Sequence, residues 1–225
     1  MKKGYIMTAE RGKFANICNI IFDLDGTLID SSSGIILAAN QALARLGLPT
    51  RSAEELKRCI GYPLERLYGD NPPDRFVEFK NIFRQLGNRV IVDSARPLDG
   101  VEMTLGLLSH RGHRLAVATT KCRRHLEEII SRLGWENYFA AISGGDEVTH
   151  PKPDPEQINR LITELRAVRR QTVVVGDTVN DIIAARAAGL MTIGVRSPFG
   201  GEKMLAASSP DLMLDTFCQL TEYLI

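Results

Sequence analysis

The sequence is poor in cysteine, nearly neutral in charge and without long apolar runs, and each of these properties removes a class of protein. The 225 residues contain 4 cysteines, which stand far apart and form neither a C-x-x-C pair nor a spacing typical of zinc sites. The formal net charge is +1, so no overall field favours nucleic acid or an anionic membrane surface. No apolar run approaches the roughly 20 residues that cross a bilayer.

The N-terminal stretch is polar, with charges of both signs, and has no secretory signal. We therefore expect a cytoplasmic protein with reduced thiols, no nucleic-acid partner and no membrane association. We expect it to be a monomer or a homodimer.

The residues that are present predict an α/β core interrupted by helices. Hydrophobic residues make up 44% of the chain, which is enough to bury a core. Strand-like runs alternate with helical patterns near residues 17–22, 115–118, 140–143, 172–175, 191–195 and 212–214. Residues 31–95 show helical periodicity and no convincing strand. We predict a doubly wound, Rossmann-like parallel sheet from residues 17–30 and 96–225, a small all-helical cap inserted after the first strand at 31–95, and a flexible tail at 1–16.

Two local patterns carry predictions of their own. Phe76, Phe79 and Phe83 recur at helical spacing, which favours packing within the insertion over an aromatic substrate site. Asp154 is placed to cap a helix whose third position, Gln157, completes the spacing of a capping box.

The chain places acidic residues directly after its first strand, at Asp23 and Asp25, with Gly26 behind them to let the backbone turn. Residues two apart on an extended chain point to the same side. Two carboxylates at one strand end require a cation, or a division into a charged nucleophile and a protonated acid. Thr119 and Asp177 follow other strands, and ligands of open parallel sheets lie beyond these strand ends. The pattern therefore predicts a reactive site at this edge.

These residues resemble the signature of the haloacid dehalogenase-like hydrolase superfamily, from about residue 17 to the end. Four motifs stand in order: Asp23-Leu24-Asp25-Gly26-Thr27, Thr119 after a strand, Lys152 between two prolines, and Gly176-Asp177-Thr178-Val179-Asn180-Asp181. Singly they are weak signals, and jointly they are strong. The insertion after the first motif is similar to the cap of the phosphoglycolate phosphatase-like branch, as are residues 61–64 and 97–101.

The resemblance implies a magnesium-dependent phosphatase that acts on a small phosphorylated metabolite. Asp23 would attack phosphorus to give an aspartyl phosphate, and Asp25 would protonate the leaving oxygen and later activate water. Magnesium would be held by Asp23, the backbone carbonyl of Asp25 and Asp177. Asp181 would support these ligands without touching the ion.

The resemblance also implies residues that contact substrate. Thr119, Thr120 and Lys152 would bind phosphoryl oxygens, where positive charge and hydrogen-bond donors stabilise the transition state. Thr120 departs from the usual phosphatase pattern, which has asparagine at this position. In the cap, Gly61-Tyr62-Pro63 would form a substrate loop.

Other functions fit parts of this pattern. A pyrophosphatase or a phosphomutase resembling β-phosphoglucomutase would share the core, although residues 31–95 contain no histidine, which argues against the mutase. Dehalogenation displaces a halide and therefore needs no acid to protonate an oxygen leaving group. The presence of Asp25 argues against this reaction. A receiver-type signalling domain has a different order of aspartates and no helical cap. A non-catalytic binding or regulatory protein could retain the same fold.

Overall fold

The structure is a computed structural model that describes residues 12–225. Residues 1–11, most of the predicted tail, lie outside the described residues. Within the remaining part of that tail, Phe14 is buried and belongs to the main hydrophobic cluster. No helix in the described part of the chain combines the length and apolarity needed to cross a membrane.

Six strands of the described chain form one parallel sheet with the order β5-β4-β1-β6-β7-β8, and two short strands pair separately. The strands are β1 (Asn19–Phe22), β2 (Ile29–Asp30), β3 (Arg96–Pro97), β4 (Arg114–Ala118), β5 (Phe139–Ser143), β6 (Thr172–Gly176), β7 (Met191–Val195) and β8 (Leu212–Leu214). β1 lies in the middle, between β4 and β6, and its four residues are buried. The predicted doubly wound fold is confirmed.

Helices fall into two groups along the chain. Those between β2 and β3 are α1 (Ser32–Arg45), α2 (Ala53–Lys57), α3 (Glu65–Tyr68) and α4 (Phe76–Ser94). Those after β3 are α5 (Val101–His110), α6 (Arg123–Leu133), α7 (Glu156–Glu164), α8 (Val179–Ala187), α9 (Glu202–Ala207) and α10 (Leu220–Leu224). Two apolar clusters built on the sheet include residues of the second group, as expected for a sheet covered on both faces.

The insertion has its own apolar cluster and a narrow connection to the sheet. β2 and β3 pair antiparallel, so the chain enters and leaves the insertion side by side. α1 packs closely on α4 at Gly34, where a Cβ atom would lie 2.5 Å from the backbone oxygen of Val90. Glycine therefore allows the two helix backbones to approach. The domain boundaries given above remain a prediction.

Candidate active site

The predicted motifs meet at one edge of the sheet. Asp23 and Asp25 follow β1, Thr119 follows β4, and Asp177 follows β6. These three strands are neighbours, so the residues after them converge at the carboxyl edge. Each of these four side chains is buried, although charged residues are almost never buried without partners. Their partners therefore indicate what the site can do.

Lys152 connects two of the acidic motifs. Its Nζ donates hydrogen bonds at 2.5 Å to Oδ1 of Asp23 and at 2.5 Å to Oδ1 of Asp181. It also donates to the backbone oxygen of Ala118 at 2.9 Å. All three hydrogens of the ammonium group are thus used by residues from three separate parts of the chain. This rigid placement distinguishes Lys152 from an ordinary loop lysine in solvent.

The buried charges shift one another's protonation. Burial raises the pKa of Asp23 to about 7, although Lys152 acts in the opposite direction. Burial also raises the pKa of Asp177 well above its usual value, and the negative charges of Asp23 and Asp181 add to this. Burial alone would lower the pKa of Lys152, but Asp181 and Asp23 outweigh it and raise that pKa. One lysine does not balance the charge of three carboxylates, so the cluster can accept a further cation.

The carboxylate oxygens fit a hard divalent ion. Asp23, Asp177 and Asp181 each offer one oxygen, and these oxygens lie within 4.8 Å of one another. Oδ2 of Asp23 is buried and has no hydrogen-bond partner. An anionic oxygen in that position is costly unless a cation or proton reaches it. The donor set is the one that magnesium prefers.

The three aspartates differ in how many oxygens are free. Both oxygens of Asp181 are engaged, since Oδ1 accepts from Lys152 while Oδ2 accepts from the backbone nitrogen and hydroxyl of Thr178 at 3.0 and 2.7 Å. In Asp177, Oδ1 accepts from the hydroxyl of Thr27 at 3.1 Å, and the carboxylate also accepts from the side chain of Ser197. This difference favours Asp23 over Asp181 as a direct ligand. It is compatible with a supporting role for Asp181.

Asp25 has a separate set of partners that the sequence did not reveal. Its Oδ1 accepts a hydrogen bond from the hydroxyl of Ser31, and its Oδ2 lies 3.1 Å from Nζ of Lys121. Both members of the ion pair are 7% exposed. Lys121 stands two residues after Thr119, and that position is the signal that could have suggested it. The side chain of Asp25 is thus held apart from the metal-compatible cluster, and the role of its carbonyl stays a prediction.

The loop at Thr119 is fixed so that its hydroxyl can donate. The Thr119 oxygen Oγ1 accepts from the backbone nitrogen of Lys121 at 3.1 Å, which leaves its own hydrogen free. Nε2 of Gln157 donates to the backbone oxygens of Thr119 at 3.0 Å and Ser143 at 2.9 Å. The predicted capping box is therefore wrong for Gln157, whereas Oδ1 of Asp154 does accept from the backbone nitrogen of Glu156 at 2.9 Å. α7 has Pro155 as its N-cap, and Gln157 is buried against the Thr119 loop.

A cavity of about 280 Å³ adjoins this edge and is lined by both the insertion and the sheet loops. The predicted substrate-loop residues Gly61, Tyr62 and Pro63 line it, as does Thr120. Gly61 has φ +82°, and a Cβ atom there would lie 2.9 Å from Cγ2 of Thr178. This loop therefore approaches the residue that follows Asp177.

The aromatic stripe is divided between packing and the cavity. Phe79 is fully buried and packs against Tyr68 and Phe83, with ring centroids 5.0 and 5.9 Å apart. Phe76 and Phe83 are half-buried and also line the cavity. The predicted packing describes Phe79 completely, whereas Phe76 and Phe83 both pack within the insertion and line the cavity.

His125, to which the sequence assigned no role, is buried and lines the same cavity. Its Nε2 lies 3.1 Å from Oδ1 of Asn88 on α4. Burial, together with the charge of Lys121, lowers the pKa of His125. The contact between His125 and Asn88 joins α6 to the insertion.

The chain matches the family described as haloacid dehalogenase-like hydrolase over residues 20–195. It belongs to this family. A protein of Dickeya dadantii named probable phosphatase IndB is 34% identical over 208 residues, covering 89% of this chain and 90% of the relative. The phosphoglycolate phosphatase of Yersinia pestis is 31% identical over 216 residues, covering 92% and 93% respectively.

A solved structure agrees with these relatives. The crystal structure of a predicted phosphoglycolate phosphatase from Haemophilus somnus has a TM-score of 0.83 and 29% identity, covering 92% of this chain and 98% of that one. Family and relatives confirm the predicted enzyme class, a phosphatase of the haloacid dehalogenase-like hydrolases.

Proposed function

We propose that this phosphatase hydrolyses small phosphorylated metabolites through an aspartyl phosphate formed on Asp23, with magnesium as cofactor. The observation that carries the proposal is the state of the Asp23 carboxylate. One oxygen is held by Lys152, and the other is buried without a partner beside Asp177. A nucleophile must be both fixed in direction and available at one atom, and this arrangement supports both requirements.

Asp23 and Asp177, together with the backbone carbonyl of Asp25, would hold the ion. Bound magnesium would supply positive charge that allows an anionic nucleophile to meet an anionic ester. The clustered carboxylates support this assignment, because hard cations bind anionic oxygen.

The protein side chains divide the remaining work. Asp25 would protonate the oxygen of the departing alcohol and then take a proton from the attacking water. Lys121 and Ser31 hold its carboxylate in place for both steps. Lys152 and the hydroxyl of Thr119 would contact phosphoryl oxygens as charge spreads over them in the transition state.

The relatives support a carbon-based phosphate monoester as the substrate, and the Yersinia pestis relative is named for phosphoglycolate. Turnover of phosphoglycolate, sugar phosphates and pyrophosphate, measured with and without magnesium, would rank the candidates. Release of phosphate from pyrophosphate alone would favour a pyrophosphatase instead.

The direct test is Asp23→Asn assayed on p-nitrophenyl phosphate with magnesium. We expect kcat to fall at least about 10³-fold, because an amide cannot form the phosphoenzyme. Asp99→Asn is the matched control, since Asp99 is exposed in the loop before α5. Acid quench of wild type with ³²P-labelled substrate should trap labelled protein that the variant lacks. Undiminished turnover by Asp23→Asn would overturn the assignment.

A further inference from the structure

The cavity beside the active site is positioned to receive the alcohol part of a phosphate ester. Asp25 and Lys121 line this cavity, and so does helix α4 of the insertion. Asp25 would protonate the oxygen that leaves, so the group attached to that oxygen extends into the same space. The chemistry of the cavity wall therefore describes the leaving group. This step rests on the proposed function.

The wall contributed by the insertion is mostly apolar, through Ile35, Ile60, Leu64, Phe76, Phe83 and Ile91. Phe76 and Phe83 are seven residues apart on α4 and so lie on the same face of the helix. Their rings are only half-buried, so part of each meets the cavity. A short polar leaving group would leave this surface against water, at a cost of about 25 cal/mol per Å² of apolar area.

Two cations lie on that same face. Lys80 and Arg84 line the cavity four and eight residues after Phe76. Within the described residues, their side chains make no hydrogen bond and no ion pair. Unpartnered cations beside an apolar surface suit a ligand with an acidic group.

The other charged groups that line the cavity already have a partner or a favourable local position. Lys121 is paired with Asp25, and Asp146 accepts from the backbone nitrogen of Arg123 at 2.7 Å. Glu65 is exposed and lies in the first turn of α3, where backbone N–H groups favour a carboxylate. The cations that remain for a ligand are those of α4.

We propose that the substrates are phosphate monoesters of an alcohol with an apolar segment that ends in an acidic group. The apolar segment packs against Phe76 and Phe83. The acidic group binds Lys80 and Arg84. The ester oxygen lies at Asp25.

The test compares n-alkyl phosphates of two to six carbons with their ω-carboxylated counterparts, in the presence of magnesium. The alcohols have similar acidity, so differences in kcat/KM report binding of the chain. We expect kcat/KM to rise about threefold to fourfold per methylene, from about 0.8 kcal/mol of burial each. At the best chain length, a terminal carboxylate should raise kcat/KM by as much as about fivefold, as for a partly exposed ion pair.

Variants assign each gain to its residues. Phe83→Ala should flatten the dependence on chain length, whereas Val77→Ala should not, because Val77 is 66% exposed on the same helix. The double variant Lys80→Met, Arg84→Met should abolish the preference for the carboxylated esters. Arg89→Met is its control, since Arg89 is 93% exposed on α4.

The outcomes separate this proposal from the one on which it rests. Wild-type protein that hydrolyses neither p-nitrophenyl phosphate nor any alkyl ester would contradict the phosphatase chemistry itself. Hydrolysis with no gain along the chain-length series, or with no preference for the carboxylated esters, would overturn the substrate class alone.

Discussion

At the scale of single residues, the site depends on how many oxygens of each aspartate are already bound. Asp181 has both oxygens engaged, by Lys152 and by Thr178. Asp23 shares only Oδ1 with Lys152, and its Oδ2 is buried without a partner. Under the proposed function, these hydrogen bonds would divide residues of one type into a supporting group and a reactive group. Their order in the sequence suggests this division but cannot demonstrate it.

The buried Asp23 gives a prediction for stability in EDTA. Its pKa is raised from 3.8 to about 7 by burial, so between these values the folded protein retains a proton that the unfolded chain releases. Stability from this group is complete below about pH 4 and declines as the pH rises through 7. We expect the free energy of unfolding in urea to fall by about 1–3 kcal/mol from pH 5 to pH 7.5.

The variant Asp23→Asn identifies the source of this decline. Asparagine does not titrate, so the fall in its free energy of unfolding should be clearly smaller, although Asp177 still contributes because its pKa is also raised. Addition of magnesium should raise the melting temperature of the wild type more at pH 7.5 than at pH 5, because carboxylate ligands bind metal when deprotonated. Parallel pH profiles for variant and wild type would contradict this account.

At the scale of secondary-structure elements, the contact between α1 and α4 allows a test of packing. A Cβ atom on Gly34 would lie 2.5 Å from the Val90 oxygen and 2.8 Å from Cα of Ile91. Neither backbone atom can move away cheaply, so Gly34→Ala should lower the free energy of unfolding by about 1–3 kcal/mol. Gly106→Ala on α5 is the matched control, since its nearest neighbour would be the Tyr138 hydroxyl at 3.7 Å. That control should be neutral or slightly stabilising, and equal denaturation curves for both variants would contradict the prediction.

The same scale explains what the sequence could predict. The strands of the sheet carry continuous apolar runs bounded by glycine or acidic residues, and such runs are visible without a structure. The pair β2 and β3 has two residues in each strand, which is too short for any periodicity. α4 continues to Ser94 although Gly87 lies in its interior, where the glycine is accommodated beside Ile91 and Ala38.

For the site, too, the sequence predicts residues that follow strands but not the tertiary contacts between them. Asp23, Asp25, Thr119 and Asp177 could be found because they follow strands that the sequence reveals. Local spacing predicted Gln157 as a capping residue, yet its amide nitrogen donates to the backbone oxygens of Thr119 and of Ser143 at the end of β5. Tertiary hydrogen bonds to buried carbonyl groups thus outweighed the local pattern. The pairing of Lys121 with Asp25 is likewise a tertiary contact between groups far apart in the chain.

At the scale of the whole molecule, the insertion and the sheet meet beside the active site. Gly61 faces Thr178, and Asn88 lies within hydrogen-bond distance of the buried His125. β2 and β3 provide the covalent connection. Residues of the sheet loops would contact the phosphoryl group, which every substrate shares, whereas residues of the insertion would contact the part that differs between substrates.

This division predicts that a substitution in the insertion changes the ranking of substrates, whereas a substitution in a sheet loop lowers the rate for all of them. Leu64 is half-buried and lines the cavity, so Leu64→Ala should change the ranking of phosphate esters, shifting kcat/KM ratios relative to ethyl phosphate by about 5-fold or more. Thr119→Val removes the hydroxyl that we propose contacts the phosphoryl group, so it should lower kcat/KM for all esters in parallel, by about 10²-fold. Leu107→Ala, at a position 41% exposed on α5, serves as the control and should leave both ranking and rates unchanged. Steady-state kinetics on one set of esters decides the matter, and a uniform loss in Leu64→Ala would contradict a specificity role for the insertion.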